Sequence, residues 1–212
     1  MKTRQEIKAL AKDAMMKQRS ASVLAILLVW VAGFAGGLFG LIPILGWIAS
    51  FAISAILSVL AVNLLGTFIK VYNGVTISAT DPFSELQVNF FRKWGGTLWM
   101  GLWIWLWSLL LIIPGIIKFF SYFMTQNILA DCPNVTATDA LKLSMRMTDG
   151  HKWDLFVLML SWIGWIILSS LTFGILWIVY VGPYWYATDA GFYIELRDKA
   201  IAEGKIRPEE LM

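Results

Sequence analysis

The chain has 212 residues, of which 58% are hydrophobic and only 15% charged, and its formal net charge is +3. Soluble domains carry about 25% charged residues, whereas residues 20–69 contain no charged residue and no His. This composition excludes an ordinary soluble domain and predicts an integral membrane protein. With one Cys and one His, an internal disulfide, a cysteine metal cluster and a multi-histidine site are also excluded.

The first element is a charged segment at residues 1–19. Its apolar side chains recur at the spacing of one helical face, namely Ile7, Leu10, Ala11, Ala14 and Met15. The segment predicts an amphipathic helix. The apolar run behind it is too long for the hydrophobic part of a cleavable signal peptide, so we expect the segment to be retained.

Three long apolar runs follow, and each is too long for one crossing of a ~30 Å hydrocarbon core. Turn residues divide them at Pro43 and Gly46, at Pro114 and Gly115, and at 172–174. Backbone polar groups in lipid are satisfied within helices. The predicted helices cover 20–42, 46–69, 95–113, 115–131, 154–172 and 175–196, with a bend at Gly182–Pro183.

The basic residues favour this division into six spans. With six, sixteen of the seventeen Lys and Arg lie on one side, and only Lys118, near a turn, is left to snorkel outward. Five spans would divide them nine to eight. The predicted single membrane domain therefore has both termini in the cytoplasm. Its parts are 1–19 (amphipathic helix), 20–69 (hairpin 1), 70–94 (cytoplasmic segment), 95–131 (hairpin 2), 132–153 (cytoplasmic segment), 154–196 (hairpin 3) and 197–212 (cytoplasmic tail).

A short polar phrase occurs twice, as SATDPF at 78–83 and TATDAL at 136–141. Each copy precedes a Lys-Trp pair, and the match continues into the membrane at an offset of 59 residues, where Met100 matches Met159 and Trp103 matches Trp162. The two copies predict an internal repeat. Such symmetry is common in transporters. Duplication of any stable hairpin would produce the same internal repeat.

Each phrase also predicts the start of an amphipathic helix, at about 80–91 and 138–149. Together with 1–19, these segments combine an apolar face with basic residues, so we expect them to lie in the cytoplasmic headgroup layer. The Lys-Trp pairs are predicted to be interface anchors because Trp favours the aromatic belt and Lys the lipid phosphates. These anchors are Lys93, Trp94, Lys152 and Trp153.

Several segments resemble a known bacterial family. They are 128–133 (ILADCP), 139–144 (DALKLS), 150–153 (GHKW), Gly182-Pro183-Tyr184 and Phe192-Tyr193. The family is domain of unknown function 975, whose members are multi-spanning membrane proteins, and the similarity is specific from about 112 to 197. The resemblance implies a bacterial cytoplasmic-membrane protein. It implies no catalytic residues, because the family has no established activity.

Small residues form one candidate packing site. Gly33 with Gly37 and Gly36 with Gly40 give two overlapping GxxxG patterns, and the next predicted helix carries the stripe Ser50, Ser54 and Ser58. Small residues let helices approach closely in lipid. The stripe is either a homodimer face or the contact between the two helices of hairpin 1, and the second alternative is commoner.

Asp189 forms the other candidate site, because it is an acidic residue well inside an apolar segment. The repeat register places it near Asn127 and Gln126, and Tyr184 and Tyr193 are expected to join them in a polar ligand or ion pocket. The alternative is that Asp189 lies near the headgroups.

The sequence contains no nucleophile motif, phosphate-binding loop, metal-ligand spacing or basic patch for nucleic acid. We therefore expect no cofactor, no metal and no nucleic acid, and enzymatic activity is disfavoured. The favoured function is a non-enzymatic scaffold or accessory protein that acts through the lipid bilayer, a membrane-protein partner or a homo-oligomer. The alternative is a small transporter or channel with its polar site around Asp189.

Overall fold

The computed structural model describes residues 2–39, 45–110 and 112–211, and the regular elements within these ranges are all helical. The predicted all-α class is therefore confirmed for the described residues. The α-helices are α1 (Arg4–Lys17), α2 (Arg19–Phe39), α3 (Leu45–Tyr72), α4 (Asp81–Ser84), α5 (Phe90–Leu110), α6 (Ile112–Tyr122), α7 (Thr125–Asp131), α8 (Ala137–Met147), α9 (Lys152–Leu160), α10 (Ile163–Leu171) and α11 (Gly182–Ala202). A π-helix covers Trp177–Val181, and a 3-10 helix covers Pro208–Leu211.

Three helical stretches are long and apolar enough to cross a membrane. They are Arg19–Leu38, Ile48–Tyr72 and Lys152–Leu171. The last of them contains the junction between α9 and α10. The described part of the protein therefore contains three helical stretches that meet the length and hydrophobicity requirements of a membrane span.

Helix α1 begins with a capping box: Thr3 Oγ1 accepts from the Glu6 backbone N–H at 3.3 Å, and the Glu6 carboxylate accepts from the Thr3 N–H at 2.7 Å. Its residues Ile7, Ala11 and Met15 are fully buried, and the helix packs against α11 and α3. The predicted apolar face exists, but other helices of the chain cover it. Leu10 of the same face is 44% exposed, and the position of α1 in the headgroup layer stays a prediction.

Helix α8 resembles α1 in having a side-chain N-cap and an apolar face that other helices cover. Thr136 is its N-cap and accepts from the Asp139 N–H at 3.2 Å. Ala140, Leu143 and Met147 are buried among neighbouring helices that include α5, α6 and α7. The amphipathic pattern is again satisfied by protein and not by lipid.

The second predicted amphipathic helix, at 80–91, is wrong beyond its first turn. Helix α4 ends at Ser84, and Asn89 takes a positive φ of 54° before α5 begins. In a continuing helix the Pro82 carbonyl would accept from the N–H four residues on. Here it accepts from Asn63 Nδ2 at 2.8 Å, so a side chain of α3 takes the place of a helical hydrogen bond.

The second hairpin turns earlier than the sequence predicted. Helix α6 begins at Ile112, and Leu111 lies outside the described residues, so Pro114 occupies the first turn of α6 and not the break itself. A proline there sacrifices no helical hydrogen bond, because the first-turn N–H groups have no partner within the helix. A Cβ on Gly115 would come within 2.6 Å of Ser108 Oγ, so α6 returns close alongside α5.

Two of the predicted helices are interrupted. The helix predicted at 115–131 divides into α6 and α7, and the Met124 N–H donates to Ser144 Oγ of α8 at 3.2 Å. The helix predicted at 154–172 divides at Ser161, whose hydroxyl accepts from the Lys8 ammonium at 2.6 Å. In both cases a polar side chain of another helix bonds at the break.

The third hairpin turns at Phe173 and Gly174, whose φ angles are 52° and 81°. The π-helix then leads into Gly182–Pro183, where the sequence predicted a bend, and such wide turns accommodate a proline without an N–H. For the first hairpin, the predicted break at Pro43 falls on residues 40–44, which lie outside the described residues.

Burial divides the molecule into two regions. In the hairpin region, which comprises residues 24–38, 48–56, 98–109, 113–117 and 163–179, large apolar side chains such as Phe34 (74% exposed) and Phe173 (96%) face outward. In the packed region, which comprises 2–17, 59–93, 120–162 and 181–211, the fully buried side chains include Phe68, Trp162 and Tyr193. The polar site described next belongs to the packed region.

Candidate functional site

Asp189 is buried in the packed region, in the middle of α11. Its residue is 6% exposed, and its Oδ2 accepts a hydrogen bond from Asn127 Nδ2 of α7 at 3.0 Å. Asn127 is itself 1% exposed. The structure therefore brings together the two residues that the repeat register placed at the same depth.

The carboxylate borders a cleft of about 360 Å³ between α3, α5, α6, α7 and α11. Gln126 and Asn127 line it beside Asp189, and its other walls are apolar or aromatic. Asn127 Oδ1 is buried and has no hydrogen-bond partner among the described residues. The polar groups of the cleft thus comprise a carboxylate, an amide oxygen without a partner and a second amide.

Tyr184 and Tyr193 do not join this cleft. The Tyr184 ring packs against Trp162, with 5.0 Å between ring centroids. Tyr193 lies one helical turn beyond Asp189, and its hydroxyl donates to Asp131 Oδ2 at 2.8 Å. The expectation that Tyr193 joins the Asp189 pocket is therefore wrong, because the one proton of its hydroxyl is donated to Asp131.

Asp131 instead holds the ends of α7 and α11 together. Besides the Tyr193 hydroxyl it accepts from Arg197 Nη1 at 2.9 Å, and the Arg197 guanidinium lies 5.7 Å from the Tyr193 ring centroid. Cys132 follows at once, and burial raises the pKa of its thiol to about 11. A thiol with so high a pKa is a poor nucleophile at neutral pH. The contacts of this cluster therefore join α7 to α11 and do not indicate a reactive thiol.

Lys93, predicted to be an anchor at the lipid phosphates, points into the protein. Its residue is 4% exposed and its ammonium donates to Asn63 Oδ1 at 2.6 Å. Burial lowers the pKa of the Lys93 amine. The anchor prediction fails here because Asn63, near the end of the uncharged run, supplies a protein acceptor. The sequence analysis did not single out Asn63, although an amide side chain among apolar residues was a usable signal.

The other three predicted anchors stay nearer the surface. Trp153 is 71% exposed, and Trp94 is half-buried with its ring 5.9 Å from that of Phe51. Lys152 is half-buried at the start of α9. Their contact with a membrane interface remains a prediction.

The glycine pattern contributes to packing between α2 and α3. A Cβ on Gly36 would clash with Ile53, and one on Gly33 would lie 3.9 Å from Leu57, whereas Gly37 has nothing within 4 Å. Gly40 lies outside the described residues. The residues of α3 that contact these glycines are Ile53 and Leu57, and not the predicted serines.

The serines of that stripe are engaged with their own helix or half-exposed. Ser54 and Ser58 donate to the carbonyls three residues earlier, at 2.7 and 2.8 Å, and Ser50 is half-buried. Such back-bonding satisfies a hydroxyl within the helix. Helix–helix contact through the serines themselves is not seen.

Among the described residues, no group of three or more His, Cys, Asp or Glu is placed to hold a metal ion. The chemistry that the site offers is therefore that of a buried carboxylate and two amides beside aromatic rings.

Comparison with known proteins gives one match. Residues 97–200 match the family model described as "Protein of unknown function (DUF975)". No curated protein and no solved structure matches the chain. The matched range contains α6 to α10, the cleft residues Asn127 and Asp189, and the Asp131 cluster. Over this range the predicted resemblance to the family of proteins of unknown function DUF975 is confirmed.

Proposed function

We propose that the protein is an integral protein of the bacterial cytoplasmic membrane that crosses the bilayer six times, with both termini in the cytoplasm. The outward-facing apolar side chains of the hairpin region support this, because contiguous apolar surface of this extent is not stable in water. Besides the three stretches already named, α5 and the segment from the π-helix into α11 supply apolar helix, and α6 pairs with α5.

The position of Lys118 adds to the charge argument. It was the exception to the sixteen-to-one division of basic residues. Its ammonium lies 3.8 Å from Met145 Sδ on α8 and over the ring of Trp107, 5.0 Å from the centroid. If α8 lies in the cytoplasm, as the proposed topology requires, the contact with Met145 directs Lys118 toward the basic side, which supports the proposal.

Cysteine accessibility tests this topology. In a Cys132→Ser background, Ile113→Cys and Phe173→Cys, at positions 72% and 96% exposed, should react with an impermeant thiol reagent added to intact cells. Asn73→Cys and Thr138→Cys, at exposed positions of the predicted cytoplasmic segments, should react only after the membrane is opened. Labelling of Thr138→Cys from outside would contradict the six-span topology.

We also propose that hairpins 2 and 3 arose by duplication, with an offset of about 59 residues. Both polar phrases precede a helix that lies before a hairpin, α4 in one copy and α8 in the other, and Asp81 Oδ2 accepts from the Ser78 N–H at 3.2 Å as part of its turn. An experimental structure in which the backbones of 95–130 and 154–189 do not superpose would refute the duplication.

Within the membrane we propose a transport function for a cationic solute, with its site at Asp189. The single observation that supports it is the buried carboxylate beside a cleft large enough for a small molecule. Carboxylates inside membrane helices are costly and are usually retained for ions, substrates or protons. A scaffold function receives less support, because the surface helices it would use have their apolar faces covered by the chain itself.

Uptake into proteoliposomes tests the transport proposal. We expect protein-dependent uptake of at least one of four labelled cations, Na⁺, K⁺, methylammonium and benzylammonium. Asp189→Asn should reduce uptake to the level of protein-free liposomes. Asp198→Asn removes the same charge from α11 at an exposed position outside the cleft, and it should behave as the unmodified protein. Equal uptake by the two variants would overturn the proposal.

A further inference from the structure

The composition of the cleft narrows the kind of cation that it accepts. Asp189 is the charged side chain that lines the cleft, and none of its described lining residues is basic. Asn127 donates to the carboxylate through Nδ2, which leaves its Oδ1 buried without a partner. A carboxylate without a basic partner and an amide oxygen without a hydrogen bond suit a ligand that brings both a positive charge and N–H donors.

The size and walls of the cleft do not suit a bare inorganic ion. A metal cation such as Ca²⁺ or Mg²⁺ is held by about six or more oxygen ligands, whereas the carboxylate and amide oxygens that line this cleft come from three side chains, those of Gln126, Asn127 and Asp189. Its volume of about 360 Å³ lies within the range of small-molecule sites, ~300–1,000 Å³. Most of this space would remain empty around a bound metal ion.

Aromatic side chains account for much of the remaining wall. Phe119, Phe123, Trp185 and Tyr186 line the same cleft as Asp189. Aromatic faces attract organic cations by their quadrupole, with Trp the strongest, and they also bury apolar substituents. Leu65 of α3 and Ile104 of α5 extend this apolar surface.

We propose that the Asp189 cleft binds an organic ammonium ion that carries an apolar substituent. The ammonium group pairs with the Asp189 carboxylate and donates to Asn127 Oδ1, and the substituent lies against the aromatic and aliphatic walls. This inference rests on the proposed function and specifies the class of its solute.

Binding to the purified full-length protein in detergent tests the inference. The probes are benzylammonium and phenethylammonium, with benzyl alcohol as a neutral analogue and Na⁺ and K⁺ as inorganic cations. Isothermal titration calorimetry gives the affinity, and the part of the tryptophan quenching that is lost in Trp185→Leu reports on Trp185. We expect the aryl ammonium ions to bind at least about tenfold more tightly than the alcohol, a difference of ~1.4 kcal/mol.

Two variants separate charge from shape. Asp189→Asn keeps the shape of the side chain and should weaken ammonium binding by about tenfold or more without affecting the alcohol. Trp185→Leu keeps the charge and should weaken aryl ammonium ions more than methylammonium. Asp198→Asn is the control, and circular dichroism with size exclusion establishes that each variant is folded.

The outcomes distinguish this inference from the proposed function. Binding of Na⁺ or K⁺ that depends on Asp189, without ammonium binding, would overturn the organic ligand and leave cation transport standing. Equal binding of alcohol and ammonium would overturn the role of charge. If none of the probes binds but Asp189-dependent Na⁺ uptake persists, only the ligand class fails, and if uptake is also absent both proposals fail.

Discussion

The packed region and the hairpin region differ both in the polarity of their helices and in what covers their apolar side chains, because the charged helices α1 and α8 belong to the packed region. In the packed region, polar contacts between helices, such as Asn63–Lys93, Asn127–Asp189 and Asp131–Arg197, alternate with fully buried side chains. In the hairpin region the helices are covered by few other residues, and their large side chains face outward.

The comparison shows that polar residues in this chain position helices relative to one another. Ser144 and Asn63 bond to backbone groups of other segments, and Lys8 bonds to Ser161 at the junction between two helices. Each contact lies where a predicted continuous helix is interrupted or cut short. Where such side chains are scarce, the helices continue uninterrupted through α2 and α5.

The largest difference between the two regions is expected in the unfolding free energy that is lost when a tryptophan is replaced by alanine. Trp162→Ala removes a ring that is 1% exposed and packs against Tyr184 and Trp185, and it should lower the free energy of unfolding by about 3–5 kcal/mol. Trp105→Ala, at a position 60% exposed in the hairpin region, should change it by less than about 1 kcal/mol. Denaturant unfolding in one detergent measures both, and equal losses would contradict the division into regions.

A tyrosine pair tests the polar contacts of the packed region. Tyr193→Phe removes the hydroxyl that donates to Asp131, and a hydrogen bond to a charged group contributes about 1.5–3 kcal/mol. Tyr180→Phe is the matched control, because the Tyr180 ring packs against Trp165 and Tyr184 without a hydroxyl hydrogen bond in the described part of the chain. The same unfolding measurement should show little effect for the control. No loss of stability in Tyr193→Phe would show that the Tyr193–Asp131 hydrogen bond does not stabilise the packed region.

Two Gly→Ala substitutions compare the regions by the space available for one added methyl group. Gly191→Ala places a methyl group within 2.8 Å of the Tyr72 ring and 2.9 Å of Ile7, so it should cost about 1–3 kcal/mol by pushing α1 and α3 from α11. Gly101→Ala in α5 has nothing within 4 Å and should stabilise the helix by up to about 1 kcal/mol. A melting temperature that moves in the same direction for both would contradict the close approach at Gly191.

The smallest effect concerns the thiol of Cys132. Because burial raises its pKa to about 11, little thiolate exists at pH 8 and maleimide should react slowly, with a rate that rises about tenfold per pH unit. Ser78→Cys in a Cys132→Ser background, at an exposed position, should react much faster. The unfolded chain loses this proton first, so the unfolding free energy should fall as pH rises from 9.0 toward about 11. Equal labelling rates would contradict burial of the thiol.

The sequence predicted the elements whose signal is local. The N-cap at the start of the segment TATDAL, where Thr136 accepts from the Asp139 N–H, and the turn predicted within 172–174 are both present. Each depends on backbone chemistry within a few residues, and a single sequence contains that information. The helix predicted at 80–91 failed because Asn63, far away in the chain, takes its hydrogen bond.

For the candidate site, the sequence by itself determined that Asp189 is an ionisable residue in an apolar helix and that Asn127 stands at a matching depth. Only the tertiary structure decided that these two residues meet, that Tyr193 turns to Asp131, and that Lys93 faces Asn63 and not lipid. The physical reason is that hydrophobic periodicity specifies which face of a helix avoids water but not what covers that face. Protein and lipid both satisfy an apolar face, and the choice between them depends on contacts between residues far apart in the chain.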